Sequence, residues 1–132
     1  RKNKRIVTHA EFENWAGREE ELPFDQHFLM GLVAPRPILR TEGIDDEWAN
    51  PKGTAVAFLA TQPIYDFLKV SSKNGIYIRS GGHHQSQEDF EALRIFADWH
   101  LFGLVPSNDF PQINFYHLPF DMVELKNCFN WS

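Results

Sequence analysis

The stretch IYIRSGGHHQSQEDF, residues 76–90, decides the fold. Ile76, Tyr77 and Ile78 are β-formers preceded by Gly75, so they predict a strand. Gly81 and Gly82 loosen the turn that follows, His83 and His84 stand at its tip, and Ser86 with Asp89 has the spacing of a capping box that opens a helix. A histidine so placed reaches solvent and substrate while the strand behind it stays rigid. The unit is therefore strand, loaded loop, helix.

The same grammar recurs upstream. Asp25 is placed to cap a short apolar helix through Val33, which Pro35 and Pro37 stop. Ile38 to Thr41 predicts a first strand. Asn50 followed by Pro51 is a strong helix start, because Asn accepts from free backbone amides and Pro loses no hydrogen bond at the first position. That helix runs through TAVAFLA and is expected to bend or restart at Pro63. Downstream, Phe90, Leu93, Phe96, Ala97 and Leu101 recur at helical spacing up to Gly103, a natural stop, and this stripe is expected to be core. The order predicts a βαβ unit with flanking helices, a parallel strand pair joined by a right-handed crossover.

Two parallel strands do not make a stable sheet, since such sheets need helices on both faces and further neighbours. The tail LVPSNDFPQINFYHLPFDMVELKNCFNWS, residues 104–132, is rich in aromatics and prolines and lacks a long periodic run, so it is expected to lie against a larger body. The expected fold class is α/β, with residues 1–132 forming the C-terminal portion of a larger domain.

Composition narrows the function classes. The 132 residues carry a formal net charge of -5, with 42% hydrophobic residues, which fits one soluble domain and argues against nucleic-acid binding. Twelve Phe and four Trp supply apolar area for a core or for a sugar-binding surface. Cys128 is the only cysteine, so an intrachain disulfide is impossible. No run is long enough to span a bilayer, and the basic start RKNKR, read as a solvated end, is not followed by an apolar signal-like core. The acidic run REEE, residues 18–21, reads as surface.

In open α/β sheets, sites form at the carboxyl ends of parallel strands. Here the first strand leads into Asp45, Asp46, Glu47 and Trp48, and the second into His83 and His84. An acid after one strand and a histidine after the next is how an α/β-hydrolase orients its general base. The carboxylate fixes the imidazole tautomer at one ring nitrogen, so the other can take a proton from a nucleophile. Asp46 is favoured over Asp45 as the partner of His83. His84 is expected to pack or meet solvent, and the adjacent pair makes a poor metal site. His27 reads as a satisfied helix residue, and Trp48 as either a core plug or a sugar contact.

PFDQHFLMGLVAPRPIL, DDEWANPKG, YIRSGGHH and FADWHLFG, in that order, resemble successive C-terminal blocks of the glucuronoyl esterase family of carbohydrate esterases. The resemblance runs from about Trp15 to Gly103. It implies the C-terminal part of an α/β-hydrolase three-layer sandwich and a serine esterase that cleaves glucuronic acid esters linking xylan to lignin alcohols, with no cofactor. Carried over by position, His83 is the general base, Asp46 falls at the acid position of the DxWAxP block, and Trp48 matches the tryptophan that helps hold the sugar. Some members take their acid from an upstream glutamate instead, which would leave Asp46 a supporting role.

No G-x-S-x-G elbow or equivalent occurs in the chain. In the family the nucleophile block lies upstream of all of these blocks, so the resemblance implies a nucleophile in an upstream N-terminal segment of the same hydrolase domain, and the chain alone is not expected to hydrolyse esters. The expected partners are that segment and a glucuronoxylan or lignin–carbohydrate ester, with no nucleic acid and no membrane. The resemblance implies a secreted or periplasmic protein. Two other readings are an acetylxylan or other small-acyl esterase, and a non-catalytic carbohydrate-binding module on the same scaffold.

Overall fold

The computed structural model describes residues 14–18, 21–106 and 115–127. The basic start RKNKR and Cys128 lie outside the described residues. The elements in chain order are α1 (Gln26–Gly31), β1 (Ile38–Gly43), α2 (Pro51–Phe67), a 3₁₀ turn (Ser71–Lys73), β2 (Asn74–Arg79), α3 (Gln87–Phe102) and α4 (Met122–Asn127). β1 and β2 pair in parallel, in register from Ile38 opposite Asn74 to Gly43 opposite Arg79.

Both strands run further than their apolar residues predict, because the polar residues at their ends have partners. Glu42 accepts from the Thr54 hydroxyl on α2 at 2.9 Å, and Arg79 meets Asp89 on α3 at 2.6 Å. Strand periodicity sends successive side chains to opposite faces. Ile76 packs with Ala55 and Phe58 of α2 and Leu125 of α4, and Ile78 lies against the same cluster. Leu39 and Tyr77 pack on the other face, against Ala92, Ile95 and Phe96 of α3. Helices thus cover both faces of the parallel pair. Gly75 lets α3 approach closely, since a Cβ there would stand 2.6 Å from the Phe96 ring.

The capping signals form as read. The Asp25 side chain accepts from the Gln26 amide, Asn50 accepts from the Gly53 amide, Ser86 and Asp89 close a capping box, and Gly103 ends α3 in the left-handed region at φ 73°. Two expectations need correction. First, α1 ends at Gly31, ahead of Val33, and α2 runs from Pro51 to Phe67 without restarting at Pro63. Pro63 is exposed while Thr61 and Tyr65 beside it are buried, so packing of the inner face holds the helix through a residue that costs it a hydrogen bond. Second, the Phe90–Leu101 stripe is not all core. Phe90, Leu93 and Leu101 are exposed, Phe96 is buried as expected, and α3 buries Asp89, Ala92 and Ile95 with it. Apolar counting misplaced the face because Asp89, a charge, is buried against Arg79.

The described part of the tail lies on this chain's own surfaces. Phe115 and Leu125 are buried in the two clusters, and the Phe115 carbonyl accepts from the Ile76 amide at 2.9 Å, which covers the outer edge of β2. Among the described residues no strand pairs with the outer edge of β1.

Candidate functional site

The in-register pair releases two loops side by side at its carboxyl end, residues 44–50 after β1 and 80–86 after β2. They are bonded to each other before either reaches its helix. The Ile44 amide donates to the Arg79 carbonyl at 2.8 Å and the Asp45 amide to the Gly81 carbonyl at 3.1 Å, while Asp45 Oδ2 accepts from the Gly81 amide at 3.0 Å. Gly43 permits this approach: a Cβ there would lie 2.4 Å from the Gly81 oxygen and 2.6 Å from that of Gly82. Gly81 itself needs φ 100°, a left-handed value that glycine adopts freely.

Of the two aspartates, Asp45 ties the loops together and Asp46 turns to the imidazole. His83 Nδ1 and Asp46 Oδ2 are 2.7 Å apart. Asp46 Oδ1 accepts from the Ala49 amide at 3.2 Å, and the Asp46 carbonyl accepts from the amides of Ala49 and Asn50, both at 3.1 Å. The carboxylate is nearly enclosed, with its side chain 7% exposed, whereas the His83 side chain is 67% exposed. Burial alone would push the Asp46 carboxyl up. The hydrogen bonds from His83 and Ala49 outweigh it and hold the group below the usual carboxylate range.

Trp48 meets the His83 ring edge-on, with centroids 4.9 Å apart and planes at 82°. It is 66% exposed, so it is not a core plug. A cleft of about 320 Å³ opens beside the pair, lined among others by Thr41, Glu42, Asp46, Arg79, His83 and His84. The arrangement can fix one imidazole nitrogen by an enclosed carboxylate and present the other toward an open cleft, next to a flat aromatic surface. A larger cavity of about 690 Å³ runs between α1, α2 and β1, lined among others by His27, Met30 and Arg40, and shares Glu42 and Ala49 with the cleft beside the pair.

His27 and His84 behave differently. His27 is buried and packs on Phe28 with ring centroids 4.4 Å apart. The His84 side chain is exposed, and its carbonyl accepts from the Arg79 guanidinium. Among the described residues no group of three or more His, Cys, Asp or Glu is placed to hold a metal ion. No helix among them is long and apolar enough to cross a membrane. Sequence reasoning passed over Gly43 and Arg79, and saw Asp89 only as a cap. A usable signal was present: an arginine closing a strand, two glycines, then an acid at the third helical position.

A family model described as glucuronyl esterase, fungi, matches residues 2–69, which include Asp46 and Trp48. Carbohydrate esterase MZ0003, from an unknown prokaryotic organism, is 31% identical over 109 residues, or 71% of this chain and 25% of that protein. A 4-O-methyl-glucuronoyl methylesterase of Phanerochaete carnosa is 35% identical over 72 residues, 54% of this chain and 18% of that one. Among solved structures, a carbohydrate esterase family 15 glucuronoyl esterase from Caldicellulosiruptor kristjansonii superposes with a TM-score of 0.70 at 39% identity, covering 77% of this chain and 26% of that one. The chain thus spans about a quarter or less of the length of these relatives. Its parallel strands with helices on both faces are part of an α/β-hydrolase sandwich. Sequence and fold agree that the chain belongs to the glucuronoyl esterase family of carbohydrate esterases.

Proposed function

We propose that residues 1–132 are the C-terminal portion of a single α/β-hydrolase catalytic domain and carry the base and acid of a serine esterase acting on glucuronic acid esters. One observation carries this reading: the 2.7 Å contact between His83 Nδ1 and Asp46 Oδ2, from loops that leave neighbouring parallel strands. The nucleophilic serine comes from an upstream segment of the same domain. His83 accepts its proton as it attacks the ester carbonyl, then returns that proton to the departing alcohol. Water, deprotonated by the same imidazole, releases the acyl group. Asp46 keeps the proton on Nδ1 and stabilises the imidazolium that forms in each half-reaction. Side chains carry the whole sequence, so no cofactor enters.

The substrate class is proposed from the relatives, two of which are named for glucuronoyl ester cleavage. Trp48 supports it, since an exposed indole beside the base suits the apolar face of a sugar ring. The natural ester is proposed to join glucuronoxylan to a lignin alcohol, and the working compartment is extracellular or periplasmic, where such polymers are met. In the intact enzyme His83→Ala is expected to lower kcat on a methyl glucuronate ester by about 10²- to 10⁴-fold with folding retained. Near-normal turnover overturns the assignment. A higher kcat/KM on an acetylated xyloside than on the methyl glucuronate keeps the mechanism and overturns the substrate.

A further inference from the structure

Arg79 closes β2, four residues before His83, and its side chain is only 4% exposed. Its Nε donates to Asp89 Oδ2 at 2.6 Å. One terminal amino group donates to the Ser80 carbonyl at 2.9 Å, and the other to the carbonyls of Gly82, at 3.4 Å, and of His84. The guanidinium therefore holds the backbone on both sides of His83. Asp89, 3% exposed, anchors it from α3 and also accepts from the Ser86 amide at 2.7 Å and hydroxyl at 3.2 Å.

Stability does not call for this arrangement, because a buried ion pair loses in desolvation much of what it gains in attraction. Arginine offers something an apolar pair lacks, five N–H donors in a rigid planar fork. The loop needs such a hold. Gly81 occupies the left-handed region and a Cβ at Gly82 would meet nothing within 4 Å, so side-chain packing does not restrain the turn there. We infer that Arg79 is a positioning residue, which fixes the imidazole of His83 by gripping the Gly82 and His84 carbonyls while Asp89 holds the guanidinium in place. The inference rests on His83 being the general base.

The test uses the intact hydrolase and Arg79→Lys, which keeps a positive charge opposite Asp89 but gathers its donors on one nitrogen, whereas the acid and the loop carbonyls are served by three separate nitrogens of the guanidinium. Because small misplacements of a reacting group are costly, kcat is expected to fall by about 10- to 100-fold. KM is expected to stay within about threefold. The downfield proton resonance of a carboxylate-bound imidazole N–H, assigned to His83 by its loss in His83→Ala, is expected to broaden or vanish. Wild-type kcat with an undisturbed resonance in folded Arg79→Lys overturns the inference. If that variant does not fold, Asp89→Asn serves, since without the carboxylate the guanidinium is no longer held against the Gly82 and His84 carbonyls, and kcat is expected to fall in the same direction. A lower melting temperature with unchanged kcat per folded molecule would show a structural role alone and overturn the inference. An active His83→Ala removes the underlying reading, whereas an inactive His83→Ala beside a fully active Arg79→Lys removes only the clamp.

Discussion

The two loops at the carboxyl end of the sheet do similar work by different means. The acid loop, 44–50, is held by its own main chain: the Asp46 carbonyl takes the amides of Ala49 and Asn50, the Asp46 carboxylate shares the Ala49 amide, and Asn50 caps the helix that follows. The histidine loop, 80–86, has one backbone bond within itself, from the His84 amide to the Gly82 carbonyl at 2.9 Å, and is otherwise held from outside, at Gly81 by its two bonds with Asp45 and around His83 by the Arg79–Asp89 pair beneath it. The first loop encloses its side chain and the second presents one. A carboxylate that only orients a partner can be enclosed by a tight turn, since it never leaves its bonds. An imidazole with the role proposed for His83, exchanging protons with a substrate, has to stand in the open, so its rigidity has to come from the groups around its loop.

Gly43 is where the two schemes meet, and replacing it is the strongest way to break the comparison. In Gly43→Ala the added methyl would lie 2.4 Å from the Gly81 oxygen and 2.6 Å from that of Gly82, both of them backbone. No flexible side chain can yield, so the loops must part. Overpacking of this kind costs about 1 to 3 kcal/mol or more. Separating Asp46 from His83 should also cut kcat by about 10²-fold. Gly82→Ala is the control, for nothing stands within 4 Å of the new methyl, and its melting temperature should correspond to a change within about 0.5 kcal/mol. Thermal unfolding of both variants checks the contrast, and equal destabilisation would count against the close approach at Gly43.

Acid should sharpen the difference between the loops. Burial pushes the Asp89 carboxyl up, but its bonds from Ser86 and Arg79 prevail and hold it below the ordinary carboxylate range. A folded value below the unfolded one means that the folded state binds fewer protons there. The stabilisation is therefore complete above the unfolded value of about 3.9 and is lost as pH falls through the folded value. Asp89→Asn should lower the melting temperature at neutral pH and flatten its decline in acid. Asp46→Asn should do the same more weakly, because its imidazole partner is largely in solvent. Melting curves from about pH 7 down to about pH 2 measure both. A steeper acid dependence in Asp89→Asn than in wild type would contradict the buried pair.

What the sequence disclosed follows the range of the interactions concerned. Asn50–Pro51, Ser86 with Asp89, and Gly103 announce helix ends because each signal is carried by residues next to the element it bounds. The need for more than two parallel strands was legible from the order of elements, and the outer edge of β1 is unpaired among the described residues. The buried face of α3 was not legible, because Asp89 counts as polar until Arg79, ten residues away, is known to face it. Periodicity also credited Phe90 and Leu93 to the core, although both are exposed. That a carboxylate follows one strand and a histidine the next can be read directly. Which of two adjacent aspartates faces the ring depends on the turn, where Asp45 bonds the Gly81 amide and Asp46 points the other way.

The smallest expected effect concerns the cap on which the acid loop ends. Asn50 sits in the left-handed region at φ 57°, its side chain accepts from the Gly53 amide at 3.1 Å, and its own amide donates to the Asp46 carbonyl. Asn50→Ala removes the cap and places an unfavourable residue at positive φ, so a cost of about 1 to 2 kcal/mol is expected. Asn50→Gly removes the cap but accepts the backbone geometry, and should cost only a few tenths of a kcal/mol. In both, kcat should change by less than about threefold, because the bond that the Asp46 amide donates to the Gly43 carbonyl and the contacts of its carboxylate with the Ala49 amide and His83 still hold Asp46, and a lost cap acts within one helical turn. Chemical denaturation ranks the pair, and activity assays test the insulation. If Asn50→Gly proved as inactive as Gly43→Ala, the acid loop would owe its geometry to the helix behind it, and the contrast with the guanidinium-held loop would disappear.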